Sequence, residues 1–370
     1  MTPSSLRRQR RIDQTIREVH QSLKGAGKKK LEDQIGYFGN ESDVVREMRF
    51  HPHEPYLIVA DQTDGVTVWN WTKSTRVNRF HQDPIRSSRI TDFQIINDQS
   101  ENSILLVSNA SGNIHLYKDY EKNNEQYLVT AIRAEPMVMA SSRGPGILTE
   151  WQQDHGLLYV SGDVPHIKVW DMERETCVQT ISSDIDACTT SLGCDRMGGH
   201  SIVAGYSDGS VLIFDRRENN RQVPLQQHSL QNRMKEHKNW VVKVCIQKVN
   251  NNQIITGSYS GDIKFWDARV LGGAAIRTFE CHKGGMNSLE IHDYAPVMAC
   301  GSNDQFIKVF NTSGDQMSMI YYHEGFLGQR IGPVSSLAFH PYRMLLAAGS
   351  TDSIISIYSG DRNQSQKGRK

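Results

Sequence analysis

No stretch of this 370-residue chain approaches the roughly 20 consecutive apolar residues that a membrane-crossing helix needs, and the opening MTPSSLRRQRR lacks the apolar core of a secretory signal. Cysteine is sparse. Cys177, Cys188, Cys194, Cys245, Cys281 and Cys300 form no CxxC pair, so they read as reduced, packed thiols of a cytosolic or nuclear protein rather than a disulfide frame. The fourteen histidines are scattered, and no His/Cys/Asp group has the short ligand spacings of a zinc site, so no metal and no cofactor is expected. Charge of one sign is lacking too. The net charge is +1, yet residues 1–30 hold nine Lys/Arg against Asp13 and Glu18, which leaves the remaining 340 residues at −6. A basic leader on a neutral-to-acidic body offers no broad cationic track for nucleic acid.

What is present is one unit repeated seven times. Each copy has an apolar run, a small-residue turn with Ser, Asp or Gly, a short alternating segment and a closing aromatic residue. The aromatics are Trp69, Tyr117, Trp170, Phe214, Trp266, Phe310 and Tyr358, separated by 48, 53, 44, 52, 44 and 48 residues. Copies such as VAGYSDGSVLIFD (203–215), ITGSYSGDIKFWD (255–267) and ACGSNDQFIKVFN (299–311) are the same unit. A unit of a few short strands cannot cover its own apolar faces, so seven of them stack radially. The fold class expected is all-β, a seven-bladed WD-repeat β-propeller with a short basic N-terminal extension.

The expected domains are a basic linker over 1–36, partly helical or disordered, a propeller over 37–360 and a polar tail over 361–370. Ile12, Ile16, Val19 and Leu23 share one helical stripe, with Gly25 and Gly27 to stop it. Inner-to-third strands of the blades fall within 44–71, 90–120, 146–172, 188–215, 240–269, 286–311 and 334–358. The tail after Tyr358 is too polar to make the last outer strand, so QIGYFG (34–39) is expected to supply it and close the ring. Residues 216–237 are polar and longer than a turn needs, which places them on the rim or a face.

WD repeats hold a His, a Ser/Thr, a turn Asp and the closing aromatic in one hydrogen-bond set. Asp208, Asp304 and Asp352 lie six residues before their aromatics, and His282, Ser302 and Asp304 make blade six the most complete copy. Such a set also has the composition of a hydrolase triad, but the repeat alone accounts for it, and no catalytic residue is assigned. KGAGKK (24–29) fails as a phosphate loop, with Ser22 where the first Gly belongs and Lys29 where Ser/Thr should stand. WDAR (266–269) and FDRR (214–217) resemble the box by which some propellers dock as substrate receptors on a cullin-based ubiquitin ligase, which supplies the alternative function.

Residues outside the repeat discriminate further. FHPHEPYLIVADQTDGVTVWNW, SRGPGILTEWQQDHGLLYVSGD (142–163), WVVKVCIQK and above all YYHEGFLGQRIGPVSSLAFHP (321–341) resemble the C-terminal propeller of Raptor, the regulatory-associated protein of the TOR kinase, across about 320 of 370 residues. The resemblance implies a non-catalytic scaffold of TOR complex one in nutrient-responsive signalling. Its partners would be TOR kinase and the other subunits, proteins only, in the cytoplasm and at the lysosomal surface when in complex. The caspase-like domain and helical solenoid that precede the propeller in that family are not in this sequence, so substrate docking attributed to them is not carried over. Phe326, Gln329 and Arg330 sit in a Gly-rich segment that a generic repeat does not need, and they are the expected partner-binding residues.

Overall fold

The computed structural model describes residues 26–28, 30–39, 44–82, 88–99, 103–136, 138, 145–183, 185–196, 198–217, 233–248, 252–270, 272–323 and 329–360. The stripe Ile12–Leu23, the residue Phe326 and the tail 361–370 lie outside them. Seven four-stranded antiparallel sheets make the ring. The first strand among the described residues, β1 (Asp33–Gly39), belongs to the last blade. Blade one is β2 (Val45–Phe50), β3 (Tyr56–Asp61), β4 (Gly65–Asn70) and β5 (Thr75–His81). Blade two is β6 (Ile90–Ile96), β7 (Ile104–Asn109), β8 (Asn113–Lys118) and β9 (Tyr127–Arg133). Blade three is β10 (Ile147–Gln152), β11 (Leu157–Gly162), β12 (Val164–Asp171) and β13 (Thr176–Ser182). Blade four is β14 (Thr189–Cys194), β15 (Ser201–Tyr206), β16 (Ser210–Asp215) and β17 (Arg233–Lys235). Blade five is β18 (Val241–Ile246), β19 (Gln253–Ser258), β20 (Asp262–Asp267) and β21 (Arg277–Glu280). Blade six is β22 (Met286–Ile291), β23 (Val297–Ser302), β24 (Ile307–Asn311) and β25 (Gln316–Ile320). Blade seven is β26 (Val334–Phe339), β27 (Leu345–Ser350) and β28 (Ile354–Ser359), with β1 as its outer strand.

Each blade is apolar on both faces in its middle strands, and each face is covered by the neighbouring blade. Seven buried apolar clusters result, one for each interface between blades. The inner strands touch in sequence, β2 to β6 to β10 and on through β26 back to β2, which closes the circle around a central channel.

Closure is made by the chain's N-terminal side. β1 runs antiparallel to β28, with Asp33 opposite Ser359 and Gly39 opposite Ile354. Phe38 from β1 stacks on Trp69 at 4.7 Å and joins the cluster between blades seven and one. The strand begins at Asp33, so residues 33–36 belong to the ring and not to the linker the sequence suggests. The segment before it is also docked: a short 3-10 turn, Ala26–Lys28, leads into Leu31, and Ala26 and Leu31 are buried among Val297, Met344 and their neighbours. Residues 216–237 likewise contain an element beyond a rim loop. Arg233–Lys235 pairs with β16, and although only three residues long it seats Met234 in the interface with blade five.

In six of the seven blades the pairing of the inner strand shifts by one residue near its start, a bulge at Val45/Glu47, Ile90/Asp92, Thr189/Ser191, Val241/Lys243, Met286/Ser288 and Val334/Ser336. A bulge re-aims the side chains beside it. Here it lies at the channel mouth, just before Glu47, Asp92, Lys243 and Glu290.

Candidate functional site

Blade five, rather than blade six, carries the complete polar set of the repeat. His237 lies four residues before β18, and its Nδ1 is 2.6 Å from Asp262 Oδ2. Its Nε2 is 2.7 Å from Thr256 Oγ1, which also accepts the Trp266 indole N–H at 2.8 Å. The ionised Asp262 can only accept, so Nδ1 carries the proton donated to it, and in the neutral ring Nε2 accepts from the Thr256 hydroxyl. Ser258 and Ser260 hydroxyls donate to the other carboxylate oxygen of Asp262. Burial opposes ionisation of Asp262, but the bonds from His237, Ser258 and Ser260 outweigh it and hold the carboxyl far below the usual range. Gly261 makes the tight turn ahead of Asp262 at φ +91°, where a Cβ would meet the His282 carbonyl at 2.2 Å. Thr256 and His237 are buried and line neither of the two mouths of the channel, and the bonds they make order the blade.

Blade six departs from the expectation. Asp304 is exposed, and its amide donates to Ser302 Oγ at 3.2 Å while its carboxylate does not reach His282. The reason is the residue that follows the turn. Gln305 takes φ +62°, and the position that Asp262 occupies in blade five is filled by Phe306, which stacks on the His282 ring at 5.0 Å. His282 Nε2 instead faces Cys300 Sγ at 3.2 Å. Asp304→Ala is therefore expected to change stability by no more than about 0.5 kcal/mol, as an exposed substitution does. A chemical-denaturation midpoint unchanged against wild type checks this; a loss of roughly 1–3 kcal/mol is the result a buried set in blade six would give.

Asp208 and Asp352 order their own turns. Asp208 accepts from the Ser210 amide and hydroxyl, both at 2.9 Å, and holds Arg233 of the short outer strand at 2.7 Å. Asp352 accepts from the Ser350 hydroxyl and from the Ile354 amide at 3.3 Å. No His joins either carboxylate among the bonds described.

The channel is a feature that the repeat pattern does not announce. Its wall carries charges of both signs in pairs. Arg49 lies 3.3 Å from Asp92 and 3.7 Å from Glu47, Arg196 lies 2.7 Å from Glu150, and Lys243 lies 2.8 Å from Glu290. Asp92 also accepts the Thr149 amide and hydroxyl at 2.8 Å, which ties blade two to blade three. Burial pushes the Glu47 carboxyl up to about 7 against the pull of Arg49. Charged residues in five of the seven inner strands, three of them in β2, are the available signal. The two mouths open into cavities of about 330 Å³ and 660 Å³, and the larger has an exposed Trp240 tilted against Tyr259, with ring centres 4.4 Å apart.

The segment between β25 and β26 reaches the surface. Tyr322 and Arg330 form an isolated bridge, His323 N–H donates to the Gln329 carbonyl at 2.9 Å, and Ile331 N–H to that of Tyr321 at 3.0 Å. These bonds narrow the loop into a hairpin. Gln329 and Arg330 are exposed, Tyr322 is 60% exposed beside them, and Arg330 donates to the Asp304 carbonyl at 3.0 Å. The expected pair is thus at the surface, with Tyr321 and Tyr322 as aromatic neighbours. In the two W-D-x-R-like boxes, Arg217 and Arg269 each fold back on the Asp two residues earlier, at 2.7 Å and 2.5 Å.

Ring, turns and the blade-five set together define a seven-bladed propeller of the WD-repeat class, and the family model "WD domain, G-beta repeat" matches residues 228–267, 273–311 and 326–359. Within that class the chain is homologous to Raptor proteins. It is 34% identical over 303 residues to the Protein raptor homolog of Dictyostelium discoideum, covering 79% of this chain and 19% of that one. It is 33% identical over 290 residues to the Target of rapamycin complex 1 subunit mip1 of Schizosaccharomyces pombe, covering 78% and 21%. The crystal structure of Chaetomium thermophilum Raptor superposes with a TM-score of 0.80 at 29% identity, over 91% of this chain and 30% of that one. The chain spans about a fifth of the length of the curated relatives it matches.

Proposed function

We propose that the chain acts as a protein-binding propeller of a Raptor-like scaffold in TOR complex one. The observation that carries this reading is the identity across most of the ring to proteins named as subunits of that complex or as regulatory-associated proteins of TOR. A propeller offers large faces for protein contact, and the His–Asp–Thr set of blade five is consumed by its own blade. On this reading the chain catalyses nothing itself, takes TOR kinase and its companion subunits as partners, and works in the cytoplasm, reaching the lysosome only through the complex.

Affinity capture of the full chain, with partners identified by mass spectrometry, tests the reading. Recovery of TOR kinase and its small propeller subunit supports it. Recovery of a cullin adaptor in their place overturns it and moves the weight to the two Asp–Arg boxes. The hairpin supplies a finer expectation. Gln329→Ala with Arg330→Ala is expected to weaken recovery of the partners several-fold while the melting temperature stays within a few degrees, because both side chains are exposed. Full recovery by the double variant places the contact elsewhere on the ring.

A further inference from the structure

Blades five and six superpose register by register. Thr256 and Cys300 hold the same place, opposite Lys264 and Lys308, and Trp266 and Phe310 hold the same place two residues further. His237 and His282 each stand four residues before their inner strands. The three groups that surround the histidine in blade five are replaced in blade six, Asp262 by Phe306, Thr256 by Cys300 and the Trp266 indole by Phe310, while Ser258 is kept as Ser302. Glu236, beside Lys264 at 3.4 Å, is replaced by Cys281, whose carbonyl takes the Lys308 ammonium at 2.6 Å. The polar set has been exchanged for sulfur around a retained imidazole.

The exchange leaves a specific geometry. Cys281, His282 and Cys300 are all buried, and their ligand atoms lie within 4.8 Å of one another. A tetrahedral zinc ion with its usual bond lengths spaces sulfur and nitrogen ligands about 3.5–3.8 Å apart. His282 Nε2 and Cys300 Sγ are already 3.2 Å apart, so a small opening of the three would admit an ion. The Met286 thioether sits 3.5 Å from Cys281 Sγ as a further soft atom. His282 Nδ1 is buried without a hydrogen-bond partner among the described residues, so hydrogen bonding leaves one ring nitrogen of this histidine unexplained.

We propose that Cys281, His282 and Cys300, with Met286 beside them, form a buried binding site for one soft d10 cation, zinc or cuprous copper, at the interface of blades five and six. Thiolate, thioether and imidazole are the ligands such ions take. The two thiol protons leave as the ion enters, and the Lys308 ammonium offsets the thiolate charge. The ion would pin the end of β21 to β23, the job that His237, Thr256 and Asp262 do by hydrogen bonding one blade earlier.

The test uses the full chain, reduced and stripped of metal, titrated with cobalt as a spectroscopic stand-in and then with zinc or cuprous ion. Expected are one equivalent bound, a thiolate-to-cobalt charge-transfer band with tetrahedral ligand-field intensity, about two protons released per ion, and a raised melting temperature. Cys300→Thr rebuilds the blade-five residue and so keeps the fold available, and it should lose all four signals, whereas Cys177→Ser, at an exposed thiol, should keep them. Displacement of cobalt by zinc or by cuprous ion tells which of the two is preferred, and either upholds the site. A wild-type chain with no charge-transfer band, or one equal to that of Cys300→Thr, overturns the proposal, and so does oxidation in air to a Cys281–Cys300 disulfide with no metal uptake under reduction.

Discussion

Removing residues 1–39 is expected to open the ring and lower the melting temperature by roughly 5–10 °C, while removing only residues 1–25 leaves it unchanged. The longer deletion takes away β1, and with it the partner of β28 along its whole length. It also takes Phe38 off Trp69 and Leu31 out of the interface between blades six and seven. Burying two such side chains contributes about 3–6 kcal/mol, and a domain of this length converts that into several degrees at least. The free edge of β28 adds a second effect, because an unpaired strand invites pairing with another chain. Calorimetry with light scattering measures both. Equal melting temperatures for the two truncations would show that blade seven is held without its fourth strand.

The sequence makes this closure legible for a simple reason. Seven aromatics count seven blades, and the apolar QIGYFG ahead of β2 is a strand-like segment left over from that count, which the structure pairs with β28. The docking of Ala26 and Leu31 is harder to see, since two apolar residues among lysines carry no periodicity. Blade four hides its outer strand in the same way. Arg233, Met234 and Lys235 look like part of a polar loop, and the strand exists because Asp208 holds both cations, at 2.7 Å and 3.5 Å, while Met234 packs inward.

Position counting is where the reading of the polar set fails. It looks for the turn Asp six residues before the aromatic, which selects Asp208, Asp304 and Asp352 and passes over Asp262, four residues before Trp266. In space the two turns are alike, with Gly261 and Gln305 in the same place and both at positive φ, and the distinction is the residue that follows, Asp262 in blade five and Phe306 in blade six. The blade-five turn has Gly261 at positive φ, and Asp262 enters the strand facing His237. The blade-six turn puts Gln305 at positive φ and leaves Asp304 outside. The hairpin that carries Gln329 and Arg330 is visible in advance only as an excess of residues over what a turn needs. Its exposure, and the tyrosines beside it, come from the bridge between Tyr322 and Arg330.

Asp262→Ala is expected to destabilise the propeller by roughly 2–4 kcal/mol, the range for cutting a buried, charge-assisted network and leaving its donors unpaired. The His237 Nδ1 proton, the Ser258 hydroxyl and the Ser260 hydroxyl all lose their acceptor at once. Thr256→Val, which keeps the shape and removes the oxygen, orphans both His237 Nε2 and the Trp266 indole and is expected to cost about 1–3 kcal/mol. The two losses should sum to more than the double variant shows, because the residues share one chain of bonds. The pH profile separates this network from ordinary packing. The Asp262 carboxyl is held below its unfolded value, so the unfolded chain takes up its proton first as acid is added. Its contribution is complete above about pH 4, the unfolded value, and fades as the pH falls below it. Wild type should therefore lose stability through that range more steeply than Asp262→Ala, and the two curves should converge in acid. Parallel curves would mean that the carboxylate does not hold His237 in solution, and that blade five is kept by apolar packing alone.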